Sequence, residues 1–415
     1  MAAVIASVVT ILGLNLFGHA RPIERQLVHR YGIDDPQMRR ELGVLLGPPL
    51  IGGNKIEHFE NGEQIFPAML SAIRDAQTSI TFETYIYWSG QIGREFAEAL
   101  AERARHGVKT HVMVDWLGSQ KMDDRLLALM HDAHVEVEKF HPLRWYDLAR
   151  VNNRTHRKLL IVDGRVGFTG GVGIADQWSG HAQDPDHWRD SHFRIEGPAV
   201  AQLQAAFVAN WVEATGQVLQ GAVYFPPIEP AKDVVAQLFT SSPNDGGNSM
   251  QLMYLLALTA AEHTIDLSAA YFVPDDFTRK ALLDALHRKV RVRIIVPGEY
   301  IDTEVVRKAS RANWGEILEA GAEMHEFQPT MFHCKMLVVD GLLVSVGSTN
   351  FDNRSFRLND EANLNIYDRR FAAQLTVVFE QDLQRSRGVT LAQWRDRPVR
   401  EKLLEKLAGI FSAQL

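Results

Sequence analysis

Two strings in this chain set a histidine and a lysine two positions apart: "THRKLLIVDGRVGFTGG", with His156, Lys158 and Asp163, and "FHCKMLVVDGLLVSVGSTN", with His333, Lys335 and Asp340. In each, an apolar run broken by Asp-Gly reads as a β-hairpin. Side chains alternate along a strand, so His156 shares a face with Lys158 and His333 with Lys335, while Arg157 and Cys334 point the other way. An imidazole near its pKa can act as a neutral nucleophile or, protonated, as an acid. Two ammonium groups can hold the non-bridging oxygens of a phosphoryl group as charge develops on them. A lone His-x-Lys would more often be a solvated edge. Two copies, each followed by Asp-Gly and a Gly-rich segment, predict that both pairs meet in one pocket, a set suited to phosphodiester chemistry with no metal and no cofactor.

The elements that must position these residues also come twice. "AIRDAQTSITFETYIYWSG", "HGVKTHVMVDWLG" and "HVEVEKFHP" precede the first string, and "ALTAAEHTIDLSAAYFVPD", "RKVRVRIIVPG" and "GAEMHEFQP" precede the second, about 180 positions later. That period suits a duplicated domain and is far too long for a solenoid repeat. "FPAMLSAIRDAQ" and "EFAEALAERARHG" carry apolar residues at helical spacing. "KTHVMVD" and "VRIIVP" read as buried strands. The alternation predicts an α/β fold of two tandem domains, each a mixed sheet flanked by helices, related by a pseudo-twofold axis. The expected divisions are an anchor at 1–20, a first domain at 21–223, a proline-rich linker at 224–233, a second domain at 234–395 and an amphipathic C-terminal helix at 396–415.

A chain of 415 residues is long enough for two cores. Its net charge of −7 gives no global basic field for nucleic acid or an anionic surface, so an anionic ligand must be held by local groups. The single cysteine, Cys334, excludes an internal disulfide and is expected to be a packing residue rather than a nucleophile. His181, Asp184, Asp186 and His187 share one loop, but their spacing fits no zinc pattern, so a solvated loop is expected. Residues 1–20 contain no Lys, Arg, Asp or Glu and are followed by Arg21, Arg25 and Arg30. They are expected to form a transmembrane anchor with the globular part in the cytoplasm. The rival reading, a cleaved signal peptide, lacks its basic n-region.

The paired His-x-Lys-x4-Asp-x6-Gly-Ser-x-Asn strings resemble those of the phospholipase D superfamily. "WRDSHFRIEGPAV" and "NRSFRLNDEANLNIYD" are most similar to segments of bacterial cardiolipin synthases, and the resemblance runs from about Asn54 to the region near Glu380. It implies a membrane-associated phosphatidyltransferase of the bacterial inner membrane that joins two phosphatidylglycerols, or phosphatidylglycerol and another phospholipid, to cardiolipin with release of glycerol. It further implies a phosphatidyl-histidine intermediate, with His156 as nucleophile and His333 as acid and base. Lys158, Lys335, Ser348 and Asn350 would bind phosphate oxygens, and Asp190 and Glu361 would either orient the imidazoles or form surface ion pairs with nearby arginines. Asp163 and Asp340 belong to the motif and enter the catalytic set with it, although a hairpin turn suits them better to fixing strand ends. The first string departs from the pattern, with Gly171 and Gly173 where the second has Ser348 and Asn350, which predicts an asymmetric site.

Other readings share these residues. A phospholipase D hydrolase would admit water in place of the acceptor alcohol, and a nucleic-acid phosphodiesterase would need a more basic groove. A non-catalytic scaffold would not keep both His-Lys pairs. An insertion before the first string, with Arg144, Trp145, Tyr146, Arg150 and Arg154, reads either as a lipid-facing lip or as a loop on the domain seam. Leu403, Leu404, Leu407, Ile410 and Phe411 lie at helical spacing, and docking of that helix on its own domain is preferred over membrane binding.

Overall fold

The computed structural model of the protein describes residue 23 and residues 27–142, 152–243 and 249–409. Among these no helix is long and apolar enough to cross a membrane, and the segment 1–20 lies outside them.

The first half contributes strands β1 (Ile51–Glu60), β2 (Ser79–Thr84), β3 (Lys109–Asp115), β4 (Glu136–Phe140), β5 (Arg154–Thr155), β6 (Leu159–Val162), β7 (Val166–Gly170) and β8 (Ser191–Glu196). The second contributes β9 (Val234–Ser241), β10 (Thr264–Ala269), β11 (Phe272–Val273), β12 (Arg291–Pro297), β13 (Glu323–Phe327), β14 (Lys335–Val339), β15 (Leu343–Gly347), β16 (Phe351–Asp352), β17 (Asn359–Tyr367) and β18 (Ser386–Val389). In one sheet the order runs β18-β13-β12-β10-β14-β15-β17-β9-β1-β8-β7-β6-β2-β3-β4. Apart from β18, the order outward from β9 repeats the order outward from β1. The seam is the antiparallel pair β1 and β9, with Ile51 opposite Ala236 and Asn54 opposite Val234. Antiparallel pairing of equivalent strands is what a pseudo-twofold axis requires.

The helices form for local reasons visible in the sequence. Gln91–Arg105 buries Ile92, Phe96 and Leu100 at four-residue spacing, ends on Arg103 and Arg105, and is followed by Gly107 at φ +89°. Asp176, from a different part of the chain, accepts from the Gln91 and Ile92 amides at its start. Both Asp-Gly turns are left-handed at both residues, with φ of 54° and 61° at Asp163 and Gly164 and of 51° and 58° at Asp340 and Gly341. That is the hairpin geometry expected of Asp-Gly.

Among the described residues three large apolar clusters hold the molecule together, beside a fourth, small one. One belongs to the first half, one to the second, and a third draws Leu159, Phe193 and Leu203 from the first with Phe332, Leu364 and Phe379 from the second. The shared cluster locks the halves face to face. Residues 23–46, grouped with the first domain by chain order, instead insert Ile33, Met38, Leu42 and Leu46 into the second half's cluster. Residues 217–233 contain no helix or strand. The helix Val399–Gly409 packs along Glu304–Ala312, so docking on its own domain is observed; Ile410 and Phe411 lie outside the described residues.

Candidate active site

Each histidine is carried across the seam by a short stretch of parallel backbone pairing. β5 pairs with the start of β17, setting Thr155 against Asp360, and the His156 amide donates to the Asp360 carbonyl at 2.8 Å. In the other half Phe332 bridges Arg189, and the His333 amide donates to the Arg189 carbonyl at 2.8 Å. The residue after Asp360 is Glu361 and the residue after Arg189 is Asp190. The carboxylates are therefore exchanged between halves: His156 Nδ1 lies 3.0 Å from both Glu361 oxygens and His333 Nδ1 lies 2.7 Å from Asp190 Oδ2. A carboxylate accepts, so each Nδ1 carries the proton and each Nε2 is left with its lone pair.

Both histidines line one cavity of about 730 Å³, together with Lys158, Asn350, Asn359, Trp178 and Trp188. Lys158 Nζ donates to the His156 carbonyl and Lys335 Nζ to the His333 carbonyl, each at 2.7 Å, so each lysine folds back on its own motif. Burial, opposed by Glu361, takes the His156 imidazole down to about 4 and keeps it neutral. Burial likewise takes the Lys158 ammonium down to about 7, and it lowers Lys335 and His333. Glu361 and Asp190 stay below the usual carboxylate range despite burial, because their histidines and the nearby lysines favour the anion. A phosphate entering between the lysines would replace lost hydration with opposite charge.

Asn350 presents a buried Oδ1 with no hydrogen-bond partner. Ser348 does not line the cavity. Its hydroxyl donates to Glu361, so the structure places it behind His156 as a support for the orienting carboxylate rather than as a phosphate contact. Asp163 and Asp340 are also corrected in role. Asp163 accepts from the Gln77, Thr78 and Ser79 amides at 2.7–3.1 Å, and Asp340 from the Glu262, His263 and Thr264 amides at 2.7–2.8 Å. They tie the hairpin turns to the starts of β2 and β10 and do not line the cavity. A carboxylate at a left-handed turn can gather amides that no strand partner reaches.

The missing Ser and Asn of the first string have a physical explanation. Trp178, buried, donates its indole N–H to Asp190 Oδ2 at 2.9 Å, doing for Asp190 what the Ser348 hydroxyl does for Glu361. A Cβ on Gly171 would collide with the Asp190 carboxylate, and one on Gly173 would lie 2.9 Å from Ile86 and 3.2 Å from the Trp178 ring. His333 then packs against the pair Trp178 and Trp188, with ring centroids 5.3 Å and 5.6 Å away, whereas His156 meets Tyr85 at 5.2 Å. The expected asymmetry is present, and the indole that creates it was missed; the two glycines were the available signal. Gly171→Ser, which restores the repeat's pattern, should therefore damage the enzyme. Displacing Asp190 is expected to lower stability by about 1–3 kcal/mol and kcat by about tenfold or more. Thermal unfolding and steady-state rates check this.

Asn359 was also missed as a site residue. It lines the cavity and donates to Glu361 at 3.3 Å. Arg154, read as part of an insertion that was either a lipid-facing lip or a loop on the domain seam, is 2 % exposed and sits in β5, paired with Asn359 of the other half, with Nη1 3.6 Å from Asp115. Arg144, Trp145, Tyr146 and Arg150 lie outside the described residues. Cys334 is buried in the apolar cluster shared by the halves, as expected. His187 pairs with Asp184 at 2.6 Å and His181 faces Glu63 at 3.5 Å. Among the described residues no group of three or more His, Cys, Asp or Glu is placed to hold a metal ion.

A duplicated α/β fold that brings one histidine of a His-x-Lys motif from each half into a single cavity defines the class of phospholipase D-like enzymes. The family model described as "Cardiolipin synthase, PLD-like domain" matches residues 69–211 and 254–383. The cardiolipin synthase of Geobacillus thermodenitrificans is 32% identical over 413 residues, covering 99% of this chain and 79% of that one. Cardiolipin synthase A of Pseudomonas putida is 32% identical over 365 residues, covering 88% and 75%. The phosphatidylserine synthase structure from Haemophilus influenzae Rd KW20 superimposes with a TM-score of 0.72 at 14% identity, covering 91% of this chain and all of that one, which is a likeness of fold. The chain belongs to the cardiolipin synthase family of phosphatidyltransferases.

Proposed function

We propose that the protein joins two phosphatidylglycerols to make cardiolipin, releasing glycerol through a phosphatidyl-histidine. The observation that carries this reading is that both histidines, one from each half, share a single cavity with Lys158, each oriented by a carboxylate from the opposite half. His333 enters the step as the imidazolium, with a second proton on Nε2; His156 Nε2 attacks phosphorus, the bond to the headgroup glycerol oxygen breaks, and His333 Nε2 gives that oxygen its proton. The terminal hydroxyl of a second phosphatidylglycerol then yields its proton to His333 and attacks phosphorus, and His156 leaves. Lys158, Lys335 and Asn350 hold the non-bridging oxygens as their charge grows. Support for this division of roles comes from the surroundings of the nucleophile: burial holds His156 neutral, with the lone pair that attack requires.

The same reading sets the chain at the bacterial inner membrane, held by residues 1–20, with the catalytic halves in the cytoplasm. Protease shaving of right-side-out and inverted vesicles tests this: cleavage of the catalytic halves only in inverted vesicles is expected. The function is tested by incubating the purified protein with phosphatidylglycerol and resolving products by mass. Cardiolipin and glycerol in equal amounts are expected; phosphatidic acid alone would show water as the acceptor and a hydrolase instead.

The pH dependence follows from the same groups. Lys158 is cationic below about 7, and His333, which must be protonated to act as the acid, is lowered by burial from its ordinary value, so kcat/KM should fall on the alkaline side as these two groups lose their protons. His156 needs its lone pair and is neutral above about 4, so its own acid limb should lie well below the usual imidazole range. Initial rates at low substrate from below pH 4 to pH 9 check both limbs, and Lys158→Arg, which keeps its charge, should leave an alkaline limb set by His333 alone.

A further inference from the structure

We propose that the C-terminal helix Val399–Gly409 is a docking surface for an anionic lipid bilayer, placed beside the mouth of the active site. The helix is held to the protein by one face only. Ala408 enters a small apolar cluster with Val273, Val306 and Ala309, and the buried Glu405 carboxylate pairs with Arg397 at 2.7 Å and Arg311 at 3.5 Å. The other face is apolar and uncovered. Val399, Leu403 and Leu407, at four-residue spacing, are 81%, 59% and 49% exposed, and Leu404 beside them is 38% exposed. Residues four apart lie above one another on a helix, so these side chains form one stripe.

Charge selects the occupant. Lys402 and Lys406 each precede a leucine of the stripe and are exposed along one flank, and Arg400 is exposed on the other. Long basic side chains beside an apolar stripe can lay their stems on acyl chains and keep their charges among lipid phosphates. This local basic face stands out in a chain of net charge −7. Position points to the same partner. The helix packs along Glu304–Ala312, whose first turn, with Thr303 just before it, brings Thr303 and Val306 to the cavity wall. Leu117, another wall residue, is 45% exposed, and Val305 is exposed beside Val306. A bilayer on the leucine stripe would present phospholipid next to the opening. The inference rests on the phosphatidyltransferase reading for the identity of the lipid but not for the contact itself.

The test uses the full chain with Leu403→Cys carrying a nitrobenzoxadiazole label. The native Cys334 is 2% exposed and burial pushes its thiol pKa up, so it does not compete for the reagent. On phosphatidylglycerol vesicles the emission should shift to the blue and brighten, with little change on phosphatidylcholine vesicles. Adding Leu407→Glu should weaken the shift by about tenfold or more in lipid concentration. A label that stays aqueous on phosphatidylglycerol vesicles overturns the proposal, as does an equal shift on phosphatidylcholine or a shift that follows protein concentration without lipid, which would mean that a second copy covers the stripe. Cardiolipin is measured in the same vesicles. Product without a shift overturns the docking alone; a shift without product counts against the enzymatic reading alone.

Discussion

Glu361→Gln should lower kcat by about a hundredfold to ten-thousandfold and move the titration of His156, in the opposite half, while leaving that of His333 in place. The charged carboxylate opposes burial and raises the His156 pKa, so its loss should send that imidazole's protonation to still lower pH. Asp190→Asn should give the mirror result, lowering the titration of His333 and sparing His156. A structural collapse would disturb both rings, so the selectivity separates orientation from damage. Histidine-labelled NMR, read beside steady-state rates, measures both. If the Glu361 variant moved His333 instead, the exchange of carboxylates between halves would be wrong.

The second large effect concerns which histidine forms the covalent bond. With a phosphatidyl-p-nitrophenol substrate, whose leaving group needs no proton, His333→Ala should release about one equivalent of nitrophenol per enzyme and then stall. Its first step needs only the His156 lone pair, whereas its second needs a base to take the acceptor's proton. His156→Ala should show no burst, and turnover should fall by roughly ten-thousandfold or more, leaving only what binding and charge stabilisation provide. Rapid quench followed by acid-labile phosphohistidine detection reads both variants. A burst in His156→Ala and none in His333→Ala would reverse the roles while keeping the chemistry. Neither histidine sits in a packed apolar core, so each variant should fold, and its thermal unfolding should stay near that of the parent.

Much of the framework was legible before any coordinates. The duplicated strings, the Asp-Gly turns and the strands Lys109–Asp115 and Arg291–Pro297 depend on local chemistry: β-branched runs, a left-handed turn that Asp and Gly tolerate, and apolar residues at helical spacing. The seam was not. β1, "IGGNKIEHFE", has two glycines and no clean alternation, and most of it is neither fully buried nor fully exposed, because it joins two halves rather than facing core and water. Residues 33–46 were assigned to the half they precede, yet chain order does not decide which apolar surface a short helix covers.

By itself the sequence determined that the site is double and that its two motifs are unequal. His156, Lys158, His333 and Lys335 were found because spacing along a strand sets which side chains share a face, a rule that needs no tertiary knowledge. Only the tertiary structure decided which carboxylate serves which histidine, that Ser348 supports Glu361, and that Asp163 and Asp340 tie turns to strands. It also decided that Trp178 stands in for the lost serine. Those facts are contacts between residues up to about half a chain apart. Whether a hydroxyl, a carboxylate or an indole N–H faces a ligand or a neighbour depends on how the halves meet, and no local pattern encodes that.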